Sequence, residues 1–213
     1  MPVFREGKGR APAWCELESF DLLELKEGET RKLRREARQE ELIVCRGRVT
    51  VSAGGVECSL TAGCTLDLAG PSVKRFQVRA APSGPALVCL LRGRWQSVSS
   101  SGVFAAQTGQ PPLQETPYAY EKTTGFDNHF HDCDEYWIVF EGEATVASEG
   151  KFYTVGPGDC VATGMGWHHD ILHVKGAQPL RAVWLEGTLA GQCRPGHLCE
   201  PLHGQAEPQS DRT

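Results

Sequence analysis

The 213-residue chain predicts an all-β protein made of two antiparallel β-barrels in tandem. Short runs rich in Val, Ile, Leu, Thr and aromatics recur between 24 Gly and 13 Pro, as expected of short strands joined by tight turns. The two halves also match each other at a fixed, gapless offset of 95 residues.

Strands are expected at residues 41–45, 48–52, 76–79 and 87–91 of the first half. In the second half they are expected at 136–140, 143–147, 151–155, 171–174 and 180–185. Residues 31–40 are the one stretch that reads as helical, and their five basic residues (31, 32, 34, 35 and 38) read as a solvated face. Residues 97–117, low in charge and rich in Ser, Gln and Pro, read as a linker. The expected organisation is therefore a barrel over 1–96, a linker over 97–117, a second barrel over 118–190, and an arm and tail over 191–213.

The offset pairs Glu40 with Glu135, Ile43 with Ile138, Val44 with Val139 and Gly47 with Gly142. It also pairs Thr50 with Thr145, Val51 with Val146, Gly55 with Gly150, Gly63 with Gly158, Val88 with Val183 and Leu90 with Leu185. These identities fall on strand positions and turn glycines, where a shared backbone demands them.

Composition excludes several classes. The longest uninterrupted apolar run, 86–91, is far short of the roughly 18 residues of a membrane span. The opening MPVFREGKGR has no apolar signal core, and the nine Cys contain no C-x-x-C pair, so a cytoplasmic chain with reduced thiols is expected. Net charge −5 gives no general reason to expect nucleic acid. The expected partner is a small-molecule substrate, with no nucleic acid and no membrane, on a monomer or homodimer.

Five of the seven histidines (129, 131, 168, 169 and 173) lie between Asn128 and Val174. The key string runs from His129 through Phe130 and His131 to Glu135 and Gly142; it is followed by Gly156-Pro157-Gly158-Asp159 and by Gly166-Trp167-His168-His169. H-x-H on a strand points both imidazoles to one face. A carboxylate from the next strand and a fourth donor from across the barrel would complete a cation pocket. Three neutral nitrogens and one carboxylate suit one divalent transition metal (Fe, Mn, Ni, Co or Zn) better than Ca or Mg.

The string resembles the first motif of the cupin superfamily, H-x-H-x3-E-x6-G, and the PGD turn through His169 resembles the second, which ends G-x2-H. The likeness is strong over about 118–190 and fainter, through the repeat, over about 16–95. It implies a bicupin with two jelly-roll barrels, and His129, His131, Glu135 and His169 as metal ligands. Two turn residues depart from the pattern: Gly125 lies four rather than six before His129, and Gly164 stands where a proline is common.

Subtracting 95 takes the four ligands to Arg34, Glu36, Glu40 and Lys74, so only the last carboxylate survives. The N-terminal barrel is therefore expected to be degenerate, without metal ligands, with ion pairing in place of the metal; an anion pocket lined by Arg34 and Lys74 is the sharper alternative.

Around the metal, Glu135 is a candidate catalytic proton acceptor, and His173, four residues past His169, is a second candidate by strand parity. His168 and Asp170 have the opposite parity and are expected to face outward. Trp137, Tyr153, Thr145 and Arg181 line the pocket or fill the core, and Cys133 sits in the turn between ligands. Cys193, His197, Cys199 and His203 match no common zinc pattern, so an arm packed over a barrel is expected there. The resemblance implies a metal-dependent enzyme with substrate chelated at the metal. A dioxygenase is placed first, a sugar or sugar-phosphate isomerase or lyase second, and a non-catalytic small-molecule or metal binder third.

Overall fold

Residues 75–80 (RFQVRA) alternate exposed and buried without a break, and this period-two pattern builds most of the molecule. The computed structural model describes residues 3–7, 11–68, 70, 73–109, 120–191 and 193–213. In chain order the strands of the first part are β1 (Val3–Arg5), β2 (Leu17–Leu25), β3 (Thr30–Arg34), β4 (Gln39–Arg46), β5 (Arg48–Ala53), β6 (Val56–Thr61), β7 (Thr65–Asp67), β8 (Arg75–Ala80) and β9 (Ala86–Gly93). Those of the second part are β10 (Ser100–Ala106), β11 (Glu135–Glu141), β12 (Glu143–Ser148), β13 (Lys151–Val155), β14 (Asp159–Thr163), β15 (His169–Lys175) and β16 (Leu180–Glu186), before one short helix, α1 (Glu200–His203).

The chain divides into two compact units, 17–95 and 1–16 with 96–213. In the first, antiparallel sheets β2-β9-β4-β7 and β3-β8-β5-β6 face each other across Leu42, Val44, Val49, Val51, Phe76, Val78, Val88 and Leu90. In the second, β1-β14-β11-β16-β10 and β13-β12-β15 enclose Trp137, Val139, Ala144, Val146, Ile171, Leu180 and Ala182. Burying each such Val or Leu contributes about 1.5–3 kcal/mol, enough to fix which face of each strand turns inward.

The repeat is structural. Moved by 95 residues, β5 falls on β12 residue for residue, and β9, β4 and β7 fall on β16, β11 and β14, which keep the same order in their sheet. β10 takes the place of β2 at its edge but does not follow the offset. Even the irregularities recur, with a register shift between Val44 and Arg46 in one unit and between Val139 and Glu141 in the other. Gly47 and Gly142 follow, with φ of 81° and 76°. A Cβ at either would lie 2.4 Å from a proline carbonyl oxygen, Pro85 or Pro179, so only glycine fits both turns.

Three expectations are corrected. Residues 31–40 are not helical: β3 and the start of β4 occupy them. β3 is an edge strand, where lysine and arginine are common because they discourage pairing with another chain. Within the expected linker, residues 100–106 form β10 along β16, and a Cβ at Gly102 would press on the Trp184 ring at 3.1 Å. Residues 110–117 of that linker lie outside the described residues. Finally, β1 pairs with β14, so the first residues complete the second unit rather than the first.

Candidate metal centre

His129 and His131 precede β11, Glu135 opens that strand, and His169 opens β15. An isolated antiparallel bridge between His129 and His169, with both N–H···O bonds made, brings the two segments together. One donor atom from each of the four side chains lies within 4.8 Å of the others, and all four residues are buried.

Two tautomers are fixed by backbone carbonyls. His129 Nδ1 lies 3.0 Å from the Asp127 oxygen and His169 Nδ1 lies 3.2 Å from the Trp167 oxygen. If each Nδ1–H donates, both Nε2 atoms are left as lone-pair donors. His129 Nε2, His131 Nε2, His169 Nε2 and Glu135 Oε2 are buried without a hydrogen-bond partner. His169 Nε2 approaches Glu135 Oε2 to 2.6 Å and His131 Nε2 approaches it to 3.4 Å, yet neither contact has hydrogen-bond alignment. The four donor atoms gather within 4.8 Å of one another with no hydrogen bond to take up their lone pairs. That is the arrangement a divalent transition metal requires, and the donor set fits such an ion.

Electrostatics follow from crowding. Burial, reinforced by the charges of His169 and His131, holds the His129 imidazole well below its ordinary value. Burial opposes ionisation of Glu135, but the charges of His131 and His169 outweigh it and hold the carboxyl low. Burial also acts against His131⁺, and Glu135 and Glu186 more than offset it.

Sequence reasoning did not single out Glu186. It is 3% exposed, its carboxyl is pushed up by burial, and Oε1 lies 3.6 Å from His131 Nδ1. The signal was present: Leu180, Ala182 and Trp184 face the core, so the same alternation turns Glu186 inward, opposite Glu135 in register.

The other candidates separate. His173 does not join the quartet. β15 carries a bulge at Leu172, opposite Thr145 and Val146, which reverses strand parity. Its Nδ1 instead lies 3.1 Å from Thr123 Oγ1. His168 and Asp170 do face away from the quartet, but they are buried, at 6% and 0% exposure. Tyr120, Lys122 and Asn128 cover them: Lys122 Nζ lies 2.7 Å from both Asp170 oxygens, Tyr120 OH donates to Asp170 at 2.9 Å, and His168 Nδ1 meets Asn128 Oδ1 at 2.8 Å. Of the four candidate lining residues, Trp137 reaches the site, its ring 5.1 Å from that of His169. Tyr153 packs on the core edge, Thr145 pairs with Thr154 and His173, and Arg181 points outward beside Glu141. Phe104 and Phe126 join Trp137 in an edge-to-face cluster that also touches the His129 ring. Cys133 is buried near His131 and Glu186, and burial pushes its thiol up. All nine cysteines are free.

The arm packs over this barrel. Leu198 forms a two-bond bridge with Phe130, and Arg194 engages the Asp132 carboxylate at 3.0 and 3.2 Å. Cys193, His197, Cys199 and His203 do not converge. His197 instead stacks on His129, with centroids 3.8 Å apart and planes 8° apart, and lies 3.3 Å from Asp127 Oδ2. Asp127, His129 and His197 also form a compact group. A histidine lone pair lies in the plane of its ring, however, and two parallel planes so far apart cannot share one ion.

In the N-terminal unit the place of Glu135 is taken by Glu40, fully buried. Its Oε1 accepts from the N–H groups of Glu36 at 2.5 Å and Ala37 at 3.0 Å, and Arg92 Nε lies 3.6 Å away. The expected ion pairing is supplied by Arg92, not by Arg34 or Lys74. Arg92 reaches Glu40 because it sits opposite it in the β4–β9 ladder.

The fold and this quartet define a class: the chain belongs to the cupin superfamily. The cupin domain family matches residues 118–186. The chain is 38% identical over 215 aligned positions to the uncharacterized protein y4oW of Sinorhizobium fredii, covering 100% of this chain and 96% of that one. Similar solved structures include YhaK of Escherichia coli (TM-score 0.58, 12% identity, 88% of this chain and 93% of that one). The oxalate decarboxylase of Bacillus subtilis, described with Mn(II) centres, has TM-score 0.53 and 13% identity over 83% of this chain and 70% of that one. Protein Ylba of E. coli gives 0.53 and 11% over 87% and 81%. Among the described residues no helix is long and apolar enough to cross a membrane.

Proposed function

We propose that this chain is a metal-dependent enzyme of dioxygenase type, acting on a small organic substrate at the quartet of His129, His131, Glu135 and His169. The observation that carries this reading is the convergence of four buried donor atoms that satisfy no hydrogen bond of their own. A bound divalent ion would supply a Lewis acid with coordination positions left over for substrate and oxygen. Iron and manganese head the candidates, manganese by fold-level analogy with the Mn(II) centres named for the Bacillus neighbour.

The chain's own residues do the rest. The carbonyls of Asp127 and Trp167 hold two imidazoles in the ligating tautomer. Phe104, Phe126 and Trp137 form an apolar wall that excludes water beside the rings. Glu135 is the carboxylate placed to accept a proton from a hydroxyl held beside it.

The test is metal content of the purified protein, then oxygen uptake with a panel of diols and keto acids. About one equivalent of metal per chain is expected, lost in His129→Ala and His169→Ala. Full occupancy in both variants would overturn the site, whereas tight metal without oxygen uptake on any substrate would overturn the dioxygenase reading alone.

A further inference from the structure

The outer face of sheet β3-β8-β5-β6 in the N-terminal unit carries an unusual charge pattern. Leu33, Val49, Val51, Phe76 and Val78 turn inward, so alternation places Lys32 and Arg34 of β3, Arg75 and Arg79 of β8, and Arg48 of β5 on the outside. All five are exposed. Alternation turns one carboxylate to this face, Glu57, and it accepts a hydrogen bond from Ser52 at 2.8 Å. Five cations against one acid stand out in a chain of net charge −5.

Edge protection accounts for Lys32 and Arg34, because β3 is an edge strand. It does not account for Arg75 and Arg79 on β8 or Arg48 on β5, which are interior strands. Nor does it explain the register, in which Arg34 and Arg75 are direct cross-strand partners. Like charges placed directly opposite destabilise a sheet unless an anion lies between them.

The face is also concave. Lys32, Arg34 and Arg75, with Ser52, Gln77 and the Gly54–Gly55 turn, line a depression of about 640 Å³ whose base includes Leu33, Ala53 and Phe76. Arg48, Arg79 and Thr50 line another of about 790 Å³. Both are of small-molecule size. Their polar groups are guanidinium forks, an ammonium, hydroxyls and an amide, the donors that recognise phosphate and carboxylate oxygens. Phe76 borders the first depression but is 2% exposed, so it offers no open ring face for a nucleobase to stack on.

We propose that this face, centred on Lys32, Arg34 and Arg75, is a binding site for a small organic polyanion bearing two or more phosphate or carboxylate groups. It is separate from the metal quartet and does not depend on the function proposed for it.

The full-length protein is titrated calorimetrically with tripolyphosphate and, in a second arm, with citrate. Saturable binding to at least one probe is expected, weakening as salt is raised. Arg34→Gln/Arg75→Gln should weaken it about tenfold or more, whereas Arg181→Gln, a cation of the other unit, should leave it unchanged. A phosphate preference or a citrate preference identifies which anion the site reads. A readout that needs no ligand accompanies this one: at low salt the double variant should unfold at a higher temperature than the parent, and added probe should narrow the gap by stabilising the parent alone. No saturable binding of either probe, or equal loss in Arg181→Gln, would overturn the proposal. So would tight binding of a duplex oligonucleotide or a poly-aspartate peptide that neither probe displaces.

Discussion

Replacing Lys122 with methionine tests what holds the quartet of His129, His131, Glu135 and His169 in place. Asp170 follows His169 directly, is fully buried, and accepts from Lys122 Nζ at 2.7 Å, Tyr120 OH at 2.9 Å and the Ile171 N–H at 2.7 Å. Lys122→Met keeps the apolar stem but strands the carboxylate, a loss of about 3–5 kcal/mol for a broken buried pair. Asp170→Asn should cost less, about 1–3 kcal/mol, because the amide oxygen at the Oδ1 position still accepts from the Ile171 N–H, the amide NH2 at the other position can donate to the Tyr120 hydroxyl, and Lys122 retains the Phe126 carbonyl. Burial already pushes the Asp170 carboxyl above 3.8, against the pull of Lys122. A raised folded-state value means that its contribution is fully present below the unfolded value and is lost as pH rises through the folded one. Without Lys122 that value rises further, so the deficit of Lys122→Met should be largest at pH 8 and shrink on acidification toward the unfolded value. Urea unfolding across pH, with hydrogen exchange read on β15 and β12, gives both quantities. The double variant Lys122→Met/Asp170→Asn should recover stability relative to Lys122→Met. A deficit flat with pH, or Lys122→Met no worse than Asp170→Asn, would refute the reasoning.

The duplicated turn glycines give a matched pair. Gly47→Ala and Gly142→Ala should each cost about 2–4 kcal/mol, from the left-handed backbone and the displaced proline carbonyl; Gly150→Ala, with φ 69° and open space around it, should cost about 1 kcal/mol in the same urea titration. The duplicated carboxylates should part company: Glu40→Gln destabilises its unit by about 1.5–3 kcal/mol and leaves metal content unchanged, while Glu135→Gln lowers metal content measured by emission spectrometry.

Most of the strand pattern was legible because alternation and turn glycines are local signals. The strand expected at 151–155 matches β13 to the residue, and the 95-residue offset alone links β5 with β12. What escaped was decided elsewhere in the chain. The charge of residues 31–34 hid an edge strand, because an edge can be polar on the face that packs on nothing. The residues 100–106 look like linker, and only pairing along β16 makes them a strand. At the site, the quartet was readable from H-x-H spacing and two motifs. His173 was misplaced because one bulge residue, Leu172, inverts parity, and a bulge leaves no mark in sequence. His197 approaches His129 only because the arm folds back through the Leu198–Phe130 bridge, a contact some 70 residues apart in sequence that no local pattern encodes.

The two units show how one backbone position acquires different chemistry. Glu40 and Glu135 lie at the start of equivalent strands, second in β4 and first in β11, and both are buried, so each carboxylate must be compensated. Around Glu40 the compensation is built from the chain: two backbone N–H groups turn toward its Oε1, and Arg92 stands close by. Arg92 is in turn held by Asp21 at 2.6 Å, so charge is balanced without a ligand. Around Glu135 the neighbours are three imidazoles with donor atoms left over, and Gly187 stands where the repeat would put Arg92. A Cβ at Gly187 would lie 2.2 Å from the Glu16 carboxylate, so the glycine leaves that carboxylate room to accept from the Thr188 N–H at 2.8 Å. The barrel that lacks the arginine is therefore the one whose buried carboxylate calls for a cation from outside.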